Sequence, residues 1–213
     1  MNEPKIKLLD EDNCILVDGA DCVVGFDEKY ATHQNPTRRH RAVSVWLFNS
    51  NNEVLFQQRS EQKIVGALWW GNTVCGNVQK GETVEQCCHR RLLQELAIIG
   101  TTLQKKGVFE YRAYCNEKYS EHEVDHVFTG VYETAEITPV SSEVVKTAWI
   151  PLVELQQSIR EAIKKSNYPT AEQSLEYSWE ELQKRTHPLD CVLQGETYLL
   201  VPWTVFMLQL YFA

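Results

Sequence analysis

Short apolar runs separated by turn residues occupy the N-terminal part of the chain and predict paired strands. The stretch NCILVDGADCVVGF predicts two short strands joined at Asp18 and Gly19. The stretch RAVSVWLFNSNNEVLFQQR predicts a second hairpin that turns between Asn49 and Asn52. The first arm of this hairpin is almost continuously apolar, which is typical of a strand buried on both faces.

A helical period replaces this pattern between Thr83 and Ala97. Four apolar positions recur at helical spacing and predict a face that packs against a sheet. These positions are Val84, Cys88, Leu92 and Leu96. Thr83 and Gln86 have the spacing of a capping box, which marks the start of the helix.

The rest of the chain continues with strands and then helices. GVFEYRAYC and HEVDHVFTGVY predict two strands separated by a polar turn over residues 116–120, and VKTAWI predicts a third. A helix is expected from Pro151 to about Lys164, and a charged helix over about 171–184. A loop then leads to a short apolar C-terminal helix in VPWTVFMLQLYF. Strands interspersed with a few helices predict an α/β (α+β) fold with a mixed β-sheet sandwiched between helices.

The overall composition narrows the functional classes. The chain has 213 residues, of which 43% are hydrophobic and 23% charged, and its formal net charge is -8. This charge argues against a protein that coats nucleic acid, and no apolar run reaches the length of a membrane span. The polar N-terminal segment MNEPKIKLLDEDN lacks the apolar core of a signal peptide, so we expect a cytoplasmic protein. The seven cysteines, with no CxxC pair, are expected to be thiols.

The segment over residues 73–98 has the spacing of a phosphate-handling loop that runs into a helix. Five residues separate Gly76 from Glu82, seven separate Glu82 from Arg90, and Glu95 follows in the next turn. This spacing resembles the Nudix box, G-x5-E-x7-R-E-U-x-E-E-x-G-U. In that motif, carboxylates on one helix face hold a divalent cation that bridges diphosphate oxygens.

Most acids of the box are absent from this chain. Arg91 and Gln94 stand at two acidic positions, and Ala97 replaces the glycine, which leaves Glu95. Arg91 precedes Glu95 by one helical turn on the same face, so an amphipathic helix with a simple Arg–Glu pair is the alternative interpretation. We expect Glu95 to hold Mg²⁺ only together with a substrate diphosphate, and Glu95→Gln to leave the fold intact.

Six flanking motifs occur in the order found in the type I isopentenyl diphosphate isomerases, a branch of the Nudix superfamily, and the chain resembles that family. The motifs are EKYATHQNPTRRHRAVSVWLFN, NTVCGN, CHRRLLQEL, FEYRAY, EHEVDHVF and PWT. The resemblance implies a single Nudix-like isomerase domain over residues 1–213. It implies a core over about 29–165 and a C-terminal helical extension over about 166–213.

The resemblance also implies a reaction and the residues that perform it. Isopentenyl diphosphate becomes dimethylallyl diphosphate when a proton is added at one end of its alkene and another is removed from the neighbouring carbon. A tertiary carbocation lies between these steps. The resemblance assigns the two proton transfers to Cys75 and Glu123, with Tyr111 assisting Glu123. It places the indole face of Trp203 against the carbocation.

Metal and diphosphate ligands are implied in the same way. His33, His40, Glu121 and Glu123 match positions that hold a divalent ion, here Mn²⁺, Zn²⁺ or Mg²⁺. A further family histidine is replaced by Asn77, which we expect to be a weak ligand. The substrate-bridging Mg²⁺ is assigned to Glu95. The implied diphosphate-binding cations, each of which alone resembles a solvated surface charge, are Lys29, Arg59, Lys63 and Arg91.

The prediction from sequence is therefore an isomerase that acts on a small prenyl diphosphate, with neither nucleic acid nor a membrane as partner and with no predicted oligomeric state. Two alternatives stay open. One is a Nudix-type hydrolase of nucleoside or prenyl diphosphates, which the depleted box disfavours. The other is a weakened relative that binds a diphosphate ligand or a protein partner, and Asn77 is the residue that keeps it open.

Overall fold

The structure, a computed structural model, describes residues 13–134 and 137–212. Residues 1–12, which form nearly all of the segment inspected for a signal peptide, lie outside the described residues. The strands are β1 (Asn13–Val17), β2 (Val23–Glu28), β3 (His40–Phe48), β4 (Glu53–Arg59), β5 (Trp70–Gly71), β6 (Val74–Asn77), β7 (Leu103–Tyr114), β8 (Ser120–Val131), β9 (Val144–Pro151), β10 (Leu189–Leu193) and β11 (Glu196–Leu200). The helices are α1 (Lys29–His33), α2 (Val84–Leu96), α3 (Leu152–Ser166), α4 (Ala171–Glu176), α5 (Trp179–Arg185) and α6 (Pro202–Tyr211).

The strands of the described ranges form one mixed sheet with β3 near its centre. β3 runs parallel to β8, starting at the pair of His40 and Glu123, and antiparallel to β6 on its opposite edge. β7 pairs with the other edge of β8, and β9 pairs with β4. The predicted mixed sheet and the predicted strands of residues 107–150 are therefore confirmed.

Helices cover both faces of this sheet. Val45 and Leu47 of β3 belong to the core cluster that contains Leu92 of α2. Trp46, between them on the strand, belongs to the cluster that contains Phe206 of α6. Because successive side chains point to opposite faces, β3 is buried on both sides, as its apolar run predicts. Within the described residues, no helix combines the length and the apolar character needed to cross a membrane.

The second predicted hairpin has the expected strands and turn, but its two arms separate almost at once. β3 and β4 share the single pair Phe48 and Val54. Thr73 lies between them beyond that point: its Oγ1 accepts from the backbone N of Leu47 and donates to the carbonyl of Leu55, both at 2.8 Å. The hydroxyl replaces the direct ladder bonds, and β6, which starts at the next residue, pairs with β3 in place of β4.

Helix α2 follows the sequence pattern closely. The Thr83 side chain accepts from the backbone N of Gln86, and the Gln86 side chain accepts from the backbone N of Thr83, so the predicted capping box is present. Leu92 and Leu96 are buried against the sheet. The helix ends at Ala97 in a left-handed conformation with φ of 55°, which a glycine would adopt more readily.

The C-terminal region contains more than the helices expected there. β10 and β11 form a hairpin that the sequence pattern did not predict, and its turn residues Gln194 and Gly195 both have positive φ. Leu200 of β11 pairs in parallel with Trp70 of β5, which attaches the hairpin to the main sheet. The predicted helix over 171–184 is two short helices, because Tyr177 is extended and ends the first, and Ser178 caps the second. The seven cysteines are free thiols, as expected.

Candidate active site

Most of the predicted site residues line one pocket of about 250 Å³. These residues are Lys29, His33, Arg59, Lys63, Cys75, Asn77, Arg91, Glu121, Glu123 and Trp203. The other three predicted residues lie directly behind its wall. Tyr111 bonds to Glu123, His40 lies beside Glu123, and Glu95 contacts Lys63. The structure thus brings together residues that are separated by up to 174 positions in the sequence (29 to 203).

Two histidines and two glutamates form a buried cluster at one end of the pocket. α1 ends at His33, β3 begins at His40, and the register of β3 with β8 places His40 opposite Glu123. Glu121 lies two residues earlier on the same face of β8. Each of the four residues offers one atom that can ligate a metal ion, and these four atoms all lie within 4.8 Å of one another. β8 is an internal strand, so these carboxylates are buried rather than part of a solvated edge.

Backbone carbonyls fix the orientation of both imidazole rings. His33 Nδ1 is 2.7 Å from the carbonyl oxygen of Lys29, and His40 Nδ1 is 2.8 Å from that of Arg38. A carbonyl oxygen only accepts hydrogen bonds, so each Nδ1 donates and each Nε2 faces the carboxylates. His33 Nε2 lies 3.2 Å from Glu121 Oε2, and His40 Nε2 lies 3.4 Å from Glu123 Oε1.

The electrostatics of the cluster suit a divalent metal ion. Burial lowers the pKa of His33, but the nearby Glu121 carboxylate outweighs it, so the pKa of His33 is raised. Burial raises the pKa of Glu121, yet His33 outweighs that effect and the pKa of Glu121 is lowered. His40 Nε2 is one of the buried side-chain atoms of the described residues that have no hydrogen-bond partner. Two imidazole nitrogens and two carboxylates that converge in this way fit a divalent ion.

Asn77 lies beside this cluster on β6. Its Nδ2 is 3.4 Å from His33 Nε2. An amide nitrogen does not ligate a metal ion, so in this orientation the side chain contacts His33, and only its Oδ1 is a possible ligand. The contact agrees with the expectation that Asn77 is close to the cluster.

The two predicted proton-transfer groups come from different strands that border the pocket. Cys75 Sγ lies 3.2 Å from Asn72 Oδ1 and 3.4 Å from Ser44 Oγ. Burial, with a further contribution from the nearby Asp125 carboxyl, raises the pKa of the Cys75 thiol to about 12. Tyr111 donates a hydrogen bond of 2.5 Å to Glu123 Oε2.

Two stacked aromatic side chains lie beside these groups: Trp203 lines the pocket and Tyr111 lies behind its wall. Burial and the Glu123 carboxylate raise the pKa of Tyr111 well above its ordinary value, so the phenol is a stable hydrogen-bond donor. Trp203 occupies the first turn of α6, and its ring stacks near Tyr111 with centroids 6.3 Å apart. The guanidinium of Arg59 lies 5.3 Å from the Trp203 ring centroid. Trp203 is therefore both a core residue and a pocket residue, and its ring already faces a cation.

The opposite side of the pocket carries a network of cations and carboxylates. Glu95 is completely buried and pairs with Arg91, one turn earlier in α2, as the sequence predicts. Lys63 Nζ lies 3.3 Å from Glu95 Oε1, and Gln57 Nε2 lies 2.5 Å from Glu95 Oε2. Glu143 adds a second carboxylate, 2.5 Å from Lys63 and 2.9 Å from Arg91.

This network changes one expectation from the sequence. Burial raises the pKa of Glu95, but Arg91 and Lys63 outweigh it and hold the pKa at about 2. The carboxylate is therefore ionised and neutralises two buried cations. Replacing it with glutamine would leave them with less compensation, so we expect Glu95→Gln to lower the stability of the folded protein as well as to weaken the use of substrate.

The remaining Nudix-box residues hold the loop before the helix. Arg90 pairs with both carboxylate oxygens of Glu82, at 2.6 and 2.8 Å, and donates to the carbonyl of Asn77 at 3.1 Å. Arg59 donates through two nitrogens to the carbonyl of Val65. These bonds position the loops around the pocket.

Sequence reasoning missed several residues that contact the site. They are Ser44, Gln57, Asn72, Asp125 and Glu143. Asn72 is the first residue of the NTVCGN motif, so that motif could have identified it as a site residue. Glu143 follows a loop with no recognisable motif, and nothing in its local sequence indicates that it contacts residues 63 and 91.

Residues 38–171 match the NUDIX domain family, and this match defines the class of the protein. The crystal structure of DR0079 from Deinococcus radiodurans has the same fold, with a TM-score of 0.57 and 20% identity over 70% of this chain and 89% of that one. The Isopentenyl-diphosphate Delta-isomerase of Nocardia farcinica (strain IFM 10152) is 38% identical over 145 residues, which cover 68% of this chain and 82% of the relative. Within the Nudix class, the chain belongs to the isopentenyl-diphosphate Delta-isomerase family.

A plant relative matches a longer part of the chain. Isopentenyl-diphosphate Delta-isomerase II, chloroplastic, of Arabidopsis thaliana is 33% identical over 181 residues, or 76% of this chain. The match spans 63% of that relative, so the chain covers less than two thirds of its length. The family assignment made from six short motifs is confirmed by these similarities.

Proposed function

We propose that the protein interconverts isopentenyl diphosphate and dimethylallyl diphosphate. One observation carries the proposal: Cys75 and the Glu123–Tyr111 pair border the same pocket, next to the indole of Trp203. Family membership supports it, because the relatives from Nocardia and Arabidopsis carry the name of this activity. The partner is then a small prenyl diphosphate, and we keep the cytoplasm as the expected location.

The reaction needs two proton-transfer groups on either side of a five-carbon chain. One group adds a proton to the terminal alkene carbon, which leaves a tertiary cation at the next carbon. The other group removes a proton from the carbon on the far side of the cation, and the double bond forms there. We assign these transfers to Cys75 and to Glu123, with Tyr111 holding the Glu123 carboxylate in place. The face of Trp203 offers negative charge without a nucleophilic lone pair.

The cationic side of the pocket suits the diphosphate. Lys63 and Arg91 are neutralised by Glu95 and Glu143 in the structure. Glu143 is partly exposed, so a diphosphate competes with it more easily than with the fully buried Glu95. We propose that Lys29 and Arg59 at the pocket wall also bind the diphosphate. Glu95 would hold the Mg²⁺ that accompanies the substrate, and this ion would offset the negative charge of the diphosphate.

The proposed second divalent ion, Mn²⁺, Zn²⁺ or Mg²⁺, is held by the His33, His40, Glu121 and Glu123 cluster, with Asn77 as a weak additional ligand. The convergent Nε2 and carboxylate atoms support this assignment. An ion bound there would supply positive charge that adjusts the proton affinity of Glu123. The protein residues fix the ligand tautomers, keep the carboxylates buried and hold Glu123 against Tyr111.

The metal assignment predicts opposite effects for two substitutions. His40→Ala is expected to weaken Mn²⁺ or Zn²⁺ binding by at least about tenfold, because it removes one of the oriented imidazoles. Asn77→His is expected to tighten binding, because imidazole is a better ligand for these ions than an amide oxygen. Metal content after dialysis and a chelator competition measure both. His122→Ala is the matched control, because His122 lies on β8 between Glu121 and Glu123 but bonds to Glu110. Unchanged affinity in both His40→Ala and Asn77→His would contradict the assignment.

The direct test of the proposed function is incubation with isopentenyl diphosphate and Mg²⁺ followed by product analysis. An isomerase yields dimethylallyl diphosphate without releasing phosphate. A Nudix-type hydrolase releases phosphate, and a weakened binding relative leaves the substrate unchanged. The burial of Glu95 among cations speaks against the hydrolase, since hydrolysis needs a cluster of carboxylates on this helix to activate water.

A further inference from the structure

Asn72 is a buried amide whose orientation is fixed by the backbone. It lies in the loop before β6 and is 1% exposed. Its Nδ2 donates to the carbonyls of Val45 and Val74, both at 3.0 Å. Carbonyl oxygens only accept, so the amide nitrogen must face them and Oδ1 must face the other way.

The Oδ1 atom accepts hydrogen bonds from two side chains, of which Cys75 lines the pocket. Cys75 Sγ lies 3.2 Å away and Thr204 Oγ1 lies 2.9 Å away, and both donate to it. Thr204 is completely buried, and its Oγ1 also accepts from the backbone N of Asn72 at 3.1 Å. The two residues are therefore joined by a pair of reciprocal hydrogen bonds that uses both the donor and an acceptor position of the hydroxyl.

These bonds connect two elements that carry different parts of the proposed chemistry. Cys75 lies on β6, and Thr204 directly follows Trp203 in α6. One hydrogen bond joins the thiol to Asn72, two join Asn72 to Thr204, and Thr204 is covalently linked to the residue that carries the indole.

We propose that Asn72 and Thr204 are positioning residues that fix the Cys75 thiol relative to Trp203. The inference rests on the proposed isomerase function. Neither residue touches the substrate in this view; they act through Cys75 and through the placement of α6. The physical need is strict, because a proton transfer to carbon requires the donor and the reacting atom in near-contact geometry, and a displacement of about 1 Å can reduce a rate by about a hundredfold.

A purely structural role for the pair predicts a different pattern. In that case the loss of the hydroxyl lowers the melting temperature and leaves the catalytic rate of the folded enzyme unchanged. A positioning role lowers kcat at temperatures where the variant is fully folded, and it leaves KM and metal content close to those of the unmodified enzyme.

The test compares Thr204→Val with Thr204→Ser. Valine keeps the shape of threonine but removes the hydroxyl, whereas serine keeps the hydroxyl. We expect kcat for isopentenyl diphosphate to fall by at least about tenfold in Thr204→Val with KM within about twofold, and Thr204→Ser to stay within about threefold of the unmodified enzyme. Adding Thr204→Val to Asn72→Ala should reduce kcat little further, because the two residues act through the same bonds.

A second readout does not depend on turnover. The rate of Cys75 alkylation by iodoacetamide, followed by peptide mass spectrometry, should change several-fold in Thr204→Val and not in Thr204→Ser. Exposed Cys22 provides the internal control. Equal alkylation rates and equal kcat in the valine and serine variants would overturn the inference. An unmodified protein that does not isomerise the substrate would contradict the proposed function alone, since alkylation still decides whether the pair positions Cys75.

Discussion

Replacing Cys75 with alanine is expected to lower kcat for isomerisation by at least about a thousandfold. The residue borders the pocket, and no other thiol lines it among the described residues. Glu95 forms ion pairs with Arg91 and Lys63, so it is not expected to replace Cys75 as a proton-transfer group. Binding of inorganic diphosphate, measured by calorimetry, should be nearly unchanged, because the cations that bind it belong to other elements of the pocket.

Two further cysteine variants sharpen this test. Cys75→Ser should also fail, or nearly so, because an alcohol is a far weaker acid than a thiol and gives up its proton far less readily. Cys115→Ala is the matched control, since Cys115 is another partly buried thiol near this side of the protein and has no proposed role. Full turnover by Cys75→Ala, or an equal loss in Cys115→Ala, would remove Cys75 from the mechanism.

Replacing Glu95 with glutamine is expected to lower the free energy of unfolding by about 2 to 3 kcal/mol and to weaken the use of substrate. The carboxylate is completely buried and compensates Arg91 and Lys63. Glu143 still contacts both cations, which limits the loss. Glu85→Gln, an exposed change in the first turn of the same helix, should alter the unfolding free energy by about 0.5 kcal/mol or less.

The same substitution should change how the free energy of unfolding depends on pH. The pKa of Glu95 is about 2 in the folded protein against an ordinary value of 4.5. Because the folded pKa is depressed, its contribution to stability is complete above about pH 4.5 and is lost as the pH falls towards 2. Urea unfolding of the metal-free protein at pH 7 and pH 3 should therefore show a smaller pH dependence in Glu95→Gln. An identical pH dependence in both proteins would contradict the buried ion network.

Elements whose burial follows from the apolar pattern of their own residues could be predicted from sequence. The apolar run of β3 indicated burial on both faces, and the period of α2 identified Leu92 and Leu96 as its packed side. The hairpin of β10 and β11 escaped detection because its turn is Gln194–Gly195 rather than a strong Asn-Gly signal, although its alternating burial follows the strand period.

The geometry of the site depends on pairings between distant parts of the chain. His40 meets Glu123 because β3 and β8 run in parallel, and this register is set by the whole sheet. Thr73 separates β3 from β4 through two hydrogen bonds that no local pattern reveals. Resemblance to a family supplied the list of site residues, but it did not reveal that Glu143 joins the cationic side or that Asn72 contacts the thiol.

Deuterium incorporation by the unmodified enzyme tests the central claim most directly. The protein is incubated with isopentenyl diphosphate and Mg²⁺ in D₂O, and the prenyl products and free phosphate are analysed by mass spectrometry and a phosphate assay. Protonation of the alkene draws on exchangeable enzyme protons, so an isomerase should form dimethylallyl diphosphate with carbon-bound deuterium and release no phosphate. Phosphate release without carbon-bound deuterium would contradict the isomerase assignment.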